Sequence, residues 1–325
     1  MTVKSNHDTL VTVFGGSGFL GRHVVRALAK RDYRIRVAVR RPELANFLQP
    51  LGRVGQIHAV QANLRHAASV ENAARDSHVL INLVGVLAEG GRQRFDAVHA
   101  YGAEQIALAA NAHGARMVHV SAIGADANSS AHYARSKAAG EQLVLAAQPQ
   151  ATVMRPSILF GPEDNFFNLF AGLARMSPVL PLIGGGHTRF QPVFVGDVAT
   201  AIADAVDGKT RPGAIYELGG PEIRTFKELM QFVLATTGRK RILLPVPFVV
   251  AKLKALGLQF MPSPLTLTPD QVELLRTDNV VSDAAIADKR TLQGLGIEPE
   301  TMEAIVPSYL WRFRKTGQFN SRAAA

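Results

Sequence analysis

Three glycines and one tyrosine–lysine pair are the residues of this chain whose types and spacing suit chemistry. Gly15, Gly18 and Gly21 make a Gly-x-x-Gly-x-x-Gly series inside Val11-Thr-Val-Phe-Gly-Gly-Ser-Gly-Phe-Leu-Gly-Arg22. Each glycine answers a separate need: a tight turn, close approach of backbone to a pyrophosphate, and close packing of helix on strand. Gly15, Gly16, Ser17, Gly18, Phe19, Leu20 and Gly21 are therefore the candidate cradle for a dinucleotide. Its phosphates belong where unpaired N–H groups and the positive end of a helix dipole converge. A glycine series alone equally fits an ordinary strand–turn–helix corner. The apolar run before it and the helical pattern after it point to a nucleotide.

Tyr133 and Lys137 stand four apart in Tyr-Ala-Arg-Ser-Lys and share one helix face. An ammonium beside a phenol, with a cationic nicotinamide nearby, is expected to lower the phenol's pKa toward neutrality. Such a tyrosine exchanges a proton with a substrate carbonyl or alcohol while hydride moves to or from the cofactor. The plain alternative is a surface pair on a helix.

These residues need elements to hold them. Strand and helix patterns alternate through the first half, which predicts an α/β fold: a Rossmann-type doubly wound parallel sheet with helices on both faces. Leu20, Val24 and Leu28 mark one face of the first helix. The second strand, Arg34-Ile-Arg-Val-Ala-Val-Arg40, ends in Arg40-Arg41. In NAD-binding folds that end carries a carboxylate for the ribose hydroxyls, and none lies between Val37 and Arg41. A guanidinium there suits a 2′-phosphate, so NADP(H) is expected over NAD(H). Two further strands end at Asn63-Leu64, expected to flank the adenine, and at Leu83-Val84-Gly85, expected to line the cofactor groove. A long helix over about 95–112 and the strand Arg116 to Ser121 lead to the Tyr–Lys helix.

The composition sets bounds. The chain has 325 residues, 47% hydrophobic and 19% charged, an ordinary globular balance. It has no cysteine, which excludes disulfides, cysteine-ligated zinc, iron–sulfur clusters and thiol catalysis. A net charge of +10 points to an anionic partner, but no nucleic-acid-binding motif accompanies it. The ten histidines are scattered without ligand spacing, so no metal is expected. Residues 1–9 are polar, and no apolar run reaches the roughly 20 residues of a spanning helix. A soluble or peripheral protein on the cytoplasmic side is expected, without a secretory signal.

Four motifs in order carry a resemblance: Gly15 to Gly21, Tyr133-x-x-x-Lys137, Met154-Arg-Pro-Ser-Ile-Leu-Phe-Gly-Pro162 and Val193-Phe-Val-Gly-Asp-Val-Ala199. Together they resemble the extended short-chain dehydrogenase/reductase superfamily, of the NAD-dependent epimerase/dehydratase type, from about 10 to 220. The resemblance implies that Arg155, Pro156 and Ser157 lie at the nicotinamide end and open a substrate lobe. Asp197 is expected to cap a helix. The family places a Ser or Thr hydroxyl at the end of the fifth strand. Here the text is Val120-Ser121-Ala122-Ile123, so Ser121 falls one residue early and Ala122 takes the position. One residue of shift reverses the face to which a strand side chain points. The hydride-transfer site therefore reads as incomplete.

The second half is looser. Gly184-Gly-Gly-His187 reads as a turn, and 192–220 is expected to rejoin the main sheet. The expected division is 10–160 plus 190–220 for the Rossmann domain, 161–189 plus 221–300 for a smaller interleaved lobe, and 301–325 as a basic aromatic tail. Pro245 to Met261 reads as an amphipathic helix with Val249, Leu253, Leu256 and Phe260 on its packing face and Lys252 and Lys254 turned away. The alternative for it is an anchor at a membrane interface. In the tail, Arg312, Arg314, Lys315 and Arg322 alternate with Tyr309, Trp311, Phe313 and Phe319. Such a tail suits an acidic protein face or a lipid interface.

Leu265-Thr-Leu-Thr-Pro-Asp-Gln-Val-Glu-Leu-Leu-Arg-Thr-Asp-Asn-Val280, Leu295-Gly-Ile-Glu-Pro299 and Pro-Ser-Tyr-Leu-Trp-Arg-Phe-Arg314 are similar to the family of the NADPH-binding accessory subunit of respiratory complex I and its bacterial relatives. That resemblance implies a nucleotide held as a structural group and a membrane-associated respiratory complex, or an anionic lipid surface, as partner. The rival expectation is a soluble reductase, epimerase or dehydratase using Tyr133 and Lys137.

Overall fold

The computed structural model describes residues 6–258 and 267–315. The chain forms two compact units. The first is Met1–Pro156, Val195–Leu218 and Ser282–Glu298; the second is Ser157–Phe194, Gly219–Val281 and Pro299–Ala325.

The first unit opens with β1 (Leu10–Phe14), every residue of which is buried. A short turn leads to α1 (Phe19–Ala29), which buries Leu20, Val24, Val25 and Leu28 at helical spacing. Then come β2 (Arg34–Val39), β3 (Ile57–Gln61), α2 (Ala67–Ala74) and β4 (Val79–Asn82). The helix expected over about 95–112 begins as a π-helical segment, Asp96–Tyr101, and continues as α3 (Gly102–Ala112). β5 (Arg116–Val120), α4 (His132–Ala147) and β6 (Thr152–Pro156) complete the run. In the second unit the chain forms β7 (Leu159–Phe160), α5 (Phe167–Met176), β8 (Val179–Ile183), β9 (Arg189–Phe190) and β10 (Val193–Phe194). It re-enters the first unit as α6 (Val195–Val206) and β11 (Ile215–Leu218). Asp197 is the third residue of α6, not its cap.

The sheet of the first unit has seven strands in the order β11-β6-β5-β4-β1-β2-β3, all parallel. This is the doubly wound order. Strand direction of travel reverses between β1 and β4, and the crevice beyond their carboxyl ends is where such folds take ligands. The β1 centre is tied by its one polar residue, Thr12, whose hydroxyl lies 2.7 Å from that of Ser77.

The second unit continues with β12 (Arg224–Thr225), α7 (Phe226–Thr237), β13 (Ile242–Val246), α8 (Phe248–Leu258) and α9 (Pro269–Leu274). α7 starts on a capping box between Thr225 and Glu228 and ends on Gly238 in the left-handed conformation. Its core gathers Phe160, Phe167, Leu180, Phe190, Phe226, Met230 and Val233. The described part of the expected tail is not a separate segment, because Met302, Val306, Tyr309 and Leu310 are buried in this core. Tyr309 donates its hydroxyl to the buried Asp164 at 2.5 Å.

α8 departs from expectation in the face it buries. Ala251 and Ala255 turn inward, while Val249, Leu253 and Leu256 are exposed. Small side chains let the helix sit close to Ile183 and Val272, which the larger aliphatic stripe would not allow. Phe260, Phe319 and Arg322 lie outside the described residues.

Candidate functional site

The carboxyl ends of β1, β2, β3 and β4 frame one groove. Gly15, Ser17 and Gly18 from the first turn, Arg40 after β2, Asn63, Leu64 and Arg65 after β3, and Leu83, Val84 and Gly85 after β4 line it. The turn is built as its spacing predicts. Gly15 has φ 81°, the left-handed region in which an L side chain is strained. A β-carbon at Gly21 would run into the Gly15 carbonyl, so α1 can pack on the turn only with glycine there. α1 begins with an extended Gly18, has no side-chain cap and carries no acid in its first turn. Its first N–H groups thus face the groove without an internal acceptor from a cap, which fits the phosphates of a dinucleotide.

Other expected cradle residues have other tasks. Leu20 is packed in the core, and Gly16 stands on the side chains of Val13 and Val37. Phe19 sets its ring edge-on to His23. After β2 the two arginines separate: Arg40 lines the groove, whereas Arg41 pairs with Glu43 at 2.9 Å on the surface. The second cation of the groove is instead Arg65, which sequence reasoning passed over. Its signal was available, since it directly follows Asn63-Leu64 in the segment after the neighbouring strand.

At the other end lies a polar cluster. Tyr133 and Lys137 project from the first two turns of α4. A β-carbon at Gly85 would stand 3.3 Å from Lys137 Nζ and 3.7 Å from His99 Nε2, so both groups back directly onto the groove wall. Lys137 donates to the Val120 carbonyl at 3.3 Å. His99 comes from the π-helical segment, and the groove needs it there: its Nε2 accepts the Val86 N–H at 3.0 Å. Nδ1 then carries the proton and meets Ser136 Oγ at 2.9 Å, and Ser136 donates to the Tyr133 carbonyl at 2.8 Å. Phe95 stacks on His99, and both rings meet Tyr133 edge-on. Gly140 lets α4 approach this segment, because a β-carbon would collide with the His99 carbonyl.

The electrostatics differ from the expected pattern. Burial pushes the Tyr133 phenol up to about 12, with no lowering by Lys137. Burial brings Lys137 down to about 8, against the opposing pull of Glu141. His99 and His119 are both brought down to about 3, by burial first and then by the Lys137 charge, and are neutral.

Ser121 follows β5 with its hydroxyl buried and without a hydrogen-bond partner. Two residues earlier His119 sets Nδ1 3.1 Å from the Asn82 amide and leaves Nε2 without a partner. Asn82 also accepts the Val84 N–H at 3.0 Å, which fixes the turn after β4.

Arg155 is turned to another use. It closes a two-point ion pair on Glu141 at 2.8 and 2.5 Å and reaches Glu217 at 3.6 Å, tying α4, β6 and β11 together. Pro156 is buried at the end of β6, paired with Leu218. Ser157 belongs to the second unit, where its hydroxyl donates to Asn279 at 2.6 Å. None of the three lines the groove. Among the described residues no three His, Asp or Glu side chains gather as a metal site, and no helix is long and apolar enough to cross a membrane.

A doubly wound parallel sheet, a glycine turn at its reversal point and a lysine backing onto the groove wall, one helical turn after a tyrosine, define a dinucleotide-binding α/β protein of the short-chain dehydrogenase type. The chain belongs to the NAD dependent epimerase/dehydratase family, whose model matches residues 11–219. It is 36% identical over 320 residues to NADH dehydrogenase [ubiquinone] 1 alpha subcomplex subunit 9, mitochondrial, of Arabidopsis thaliana, covering 95% of this chain and 79% of that protein. It is 34% identical over 291 residues to the ceramide reductase of Caulobacter vibrioides, covering 86% and 88%. Among solved structures, the NADPH-dependent quinone oxidoreductase QOR2 of Escherichia coli, complexed with NADPH, shares the fold with a TM-score of 0.72 at 20% identity, over 92% of this chain and 99% of that one.

Proposed function

We propose that this protein holds NADP(H) in the groove of its first unit and serves as an accessory subunit of a membrane NADH–quinone oxidoreductase. Similarity to the plant subunit over nearly the whole chain carries this reading. Arg40 and Arg65 at the adenosine end support the phosphorylated nucleotide: two cations line the groove there, and the carboxylate of NAD-selective folds is missing. Gly15, Gly18 and the first turn of α1 would hold the pyrophosphate. Asn63 and Leu64 would flank the adenine, and Leu83 to Gly85 would carry the nicotinamide end.

The test is migration of the native protein after mild detergent extraction of membranes, probed beside NADH dehydrogenase activity. Co-migration with the large active complex, with NADPH released on denaturation, is expected. Migration as a free monomer or dimer would overturn the accessory-subunit reading.

A second reading rests on one further observation: the Tyr133–Lys137 pair is intact, and the Ser121 hydroxyl beside β5 is buried with no partner. In a reductase of a carbonyl substrate, NADPH would supply hydride and Tyr133 would hold the proton for the substrate oxygen. The 34% identity to a protein named ceramide reductase favours a lipid carbonyl. Tyr133→Phe separates the readings. It abolishes carbonyl reduction in the second and leaves complex assembly intact in the first.

A further inference from the structure

We propose that α8 and the strand leading into it form a surface that lies on an anionic phospholipid bilayer. α8 is inverted relative to an ordinary packing helix. Its small residues Ala251 and Ala255 are the buried ones, while Val249, Leu253 and Leu256 are 68%, 66% and 52% exposed. β13 continues the pattern, with Ile242 and Leu244 exposed at alternate positions. Aliphatic side chains on two consecutive elements facing solvent exceed the scattered single exposures that need no explanation.

The charges say what covers this surface. Between Glu228 and Asp270 the sequence has no Asp or Glu, but it has Arg239, Lys240, Arg241, Lys252 and Lys254. Residues advance roughly 100° each around a helix, so Lys252 and Lys254 flank the outward stripe, one on each side. That is the arrangement in which lysine stems lie along an apolar surface and their ammonium groups reach lipid phosphates. Lys252 is 3.4 Å from Glu273, and Lys254 has no carboxylate within ion-pair distance among the described residues. Among the described residues the stripe is aliphatic, whereas protein interfaces are enriched in aromatic residues at their centre. α8 is also too short to span a bilayer, which leaves it lying in the interface plane.

The inference does not depend on nucleotide binding, and its test separates the two. Full-length protein is sedimented with vesicles of phosphatidylcholine alone and of phosphatidylcholine with phosphatidylglycerol, in low and high salt. Binding to the anionic vesicles is expected to exceed binding to neutral ones at least tenfold and to fall with salt, since each Lys or Arg near an anionic surface adds about a fivefold factor. The variant Leu253→Asp/Leu256→Asp, at positions too exposed to disturb folding, is expected to lose this binding at least tenfold. Ile286→Asp, an equally exposed change in the first unit, is expected to keep it. Circular dichroism and the urea midpoint report the integrity of all three proteins.

Absence of vesicle binding by the unaltered protein overturns the proposal. So does binding that survives Leu253→Asp/Leu256→Asp, which would place the lipid contact elsewhere. If that variant instead breaks a dimer, or only its co-migration with a protein complex, the surface is a protein interface and the proposal fails.

Discussion

The Val86 N–H donates to His99 Nε2 at 3.0 Å, so a buried imidazole fixes the loop after β4 that lines the groove. That bond requires neutral His99, and burial beside Lys137 keeps it neutral down to about pH 3. His119 is held down to about 3 for the same reasons. In the unfolded chain both would bind a proton near pH 6.5. Below that pH the unfolded state gains protons that the folded state refuses, so stability falls as pH drops from about 6.5 toward 3. Each histidine contributes a slope of about 1.4 kcal/mol per pH unit. His99→Gln is expected to lessen the slope of urea-unfolding stability between roughly pH 6 and 4 by that amount. An unchanged slope would mean that His99 titrates normally.

Arg155 and Glu141 make a second test. Glu141 is almost fully buried, and its carboxylate has Arg155 at 2.5 Å. Breaking a buried pair from one side leaves an uncompensated charge at a cost of about 3–5 kcal/mol. Arg155→Met leaves Glu141 and Glu217 facing each other and should reach that range. Glu141→Gln leaves Arg155 with Glu217 as partner and should cost less. Urea midpoints of the two variants check the order. The reverse order would mean that Glu217 is not an effective second partner for Arg155.

Tyr309 and Asp164 bind the last helices to the rest of the second unit. Asp164 is buried and raised by desolvation, while the Tyr309 hydroxyl at 2.5 Å draws it back down. Tyr309→Phe removes a hydrogen bond to a buried carboxylate, at a cost of about 1.5–3 kcal/mol. It also leaves Asp164 raised further. The loss should therefore shrink at low pH, where the carboxyl is protonated in either protein. A loss independent of pH would show that the ring's packing, not its hydroxyl, matters.

Much of the fold was legible because its signals are local. The buried β1, the positive φ at Gly15 and the close approach at Gly21 follow from one twelve-residue stretch, and the alternation of strand and helix implies the parallel sheet. What escaped notice depends on contacts between distant segments. Nothing in the composition of Asp96–Tyr101 marks a π-helical segment, so His99 reached the groove unannounced. Arg155 is placed at the nicotinamide end by the resemblance alone, and only the fold shows Glu141 and Glu217 within its reach. α8 shows an apolar stripe in its text, but periodicity cannot tell which of two apolar faces turns inward. The alanines won because they permit the closer approach.

Among the described residues, Arg40 and Arg65 are the two cationic side chains lining the groove. They lie after neighbouring strands, with Arg41 paired to Glu43. A guanidinium on a 2′-phosphate makes charge-assisted hydrogen bonds worth about 1.5–3 kcal/mol each, a factor of roughly 10–100 in affinity. Arg40→Ala and Arg65→Ala should each weaken NADPH by about that factor and leave NADH nearly unchanged, because NADH has no phosphate to lose. Arg41→Ala should change neither, since its guanidinium already has a carboxylate. Arg40→Asp should go further, repelling the phosphate while offering the ribose hydroxyls an acceptor, and so move the preference toward NADH. Titration of the four variants with both nucleotides by fluorescence measures this. Equal losses for NADH and NADPH would place the arginines on the shared pyrophosphate and remove the argument for a phosphorylated cofactor.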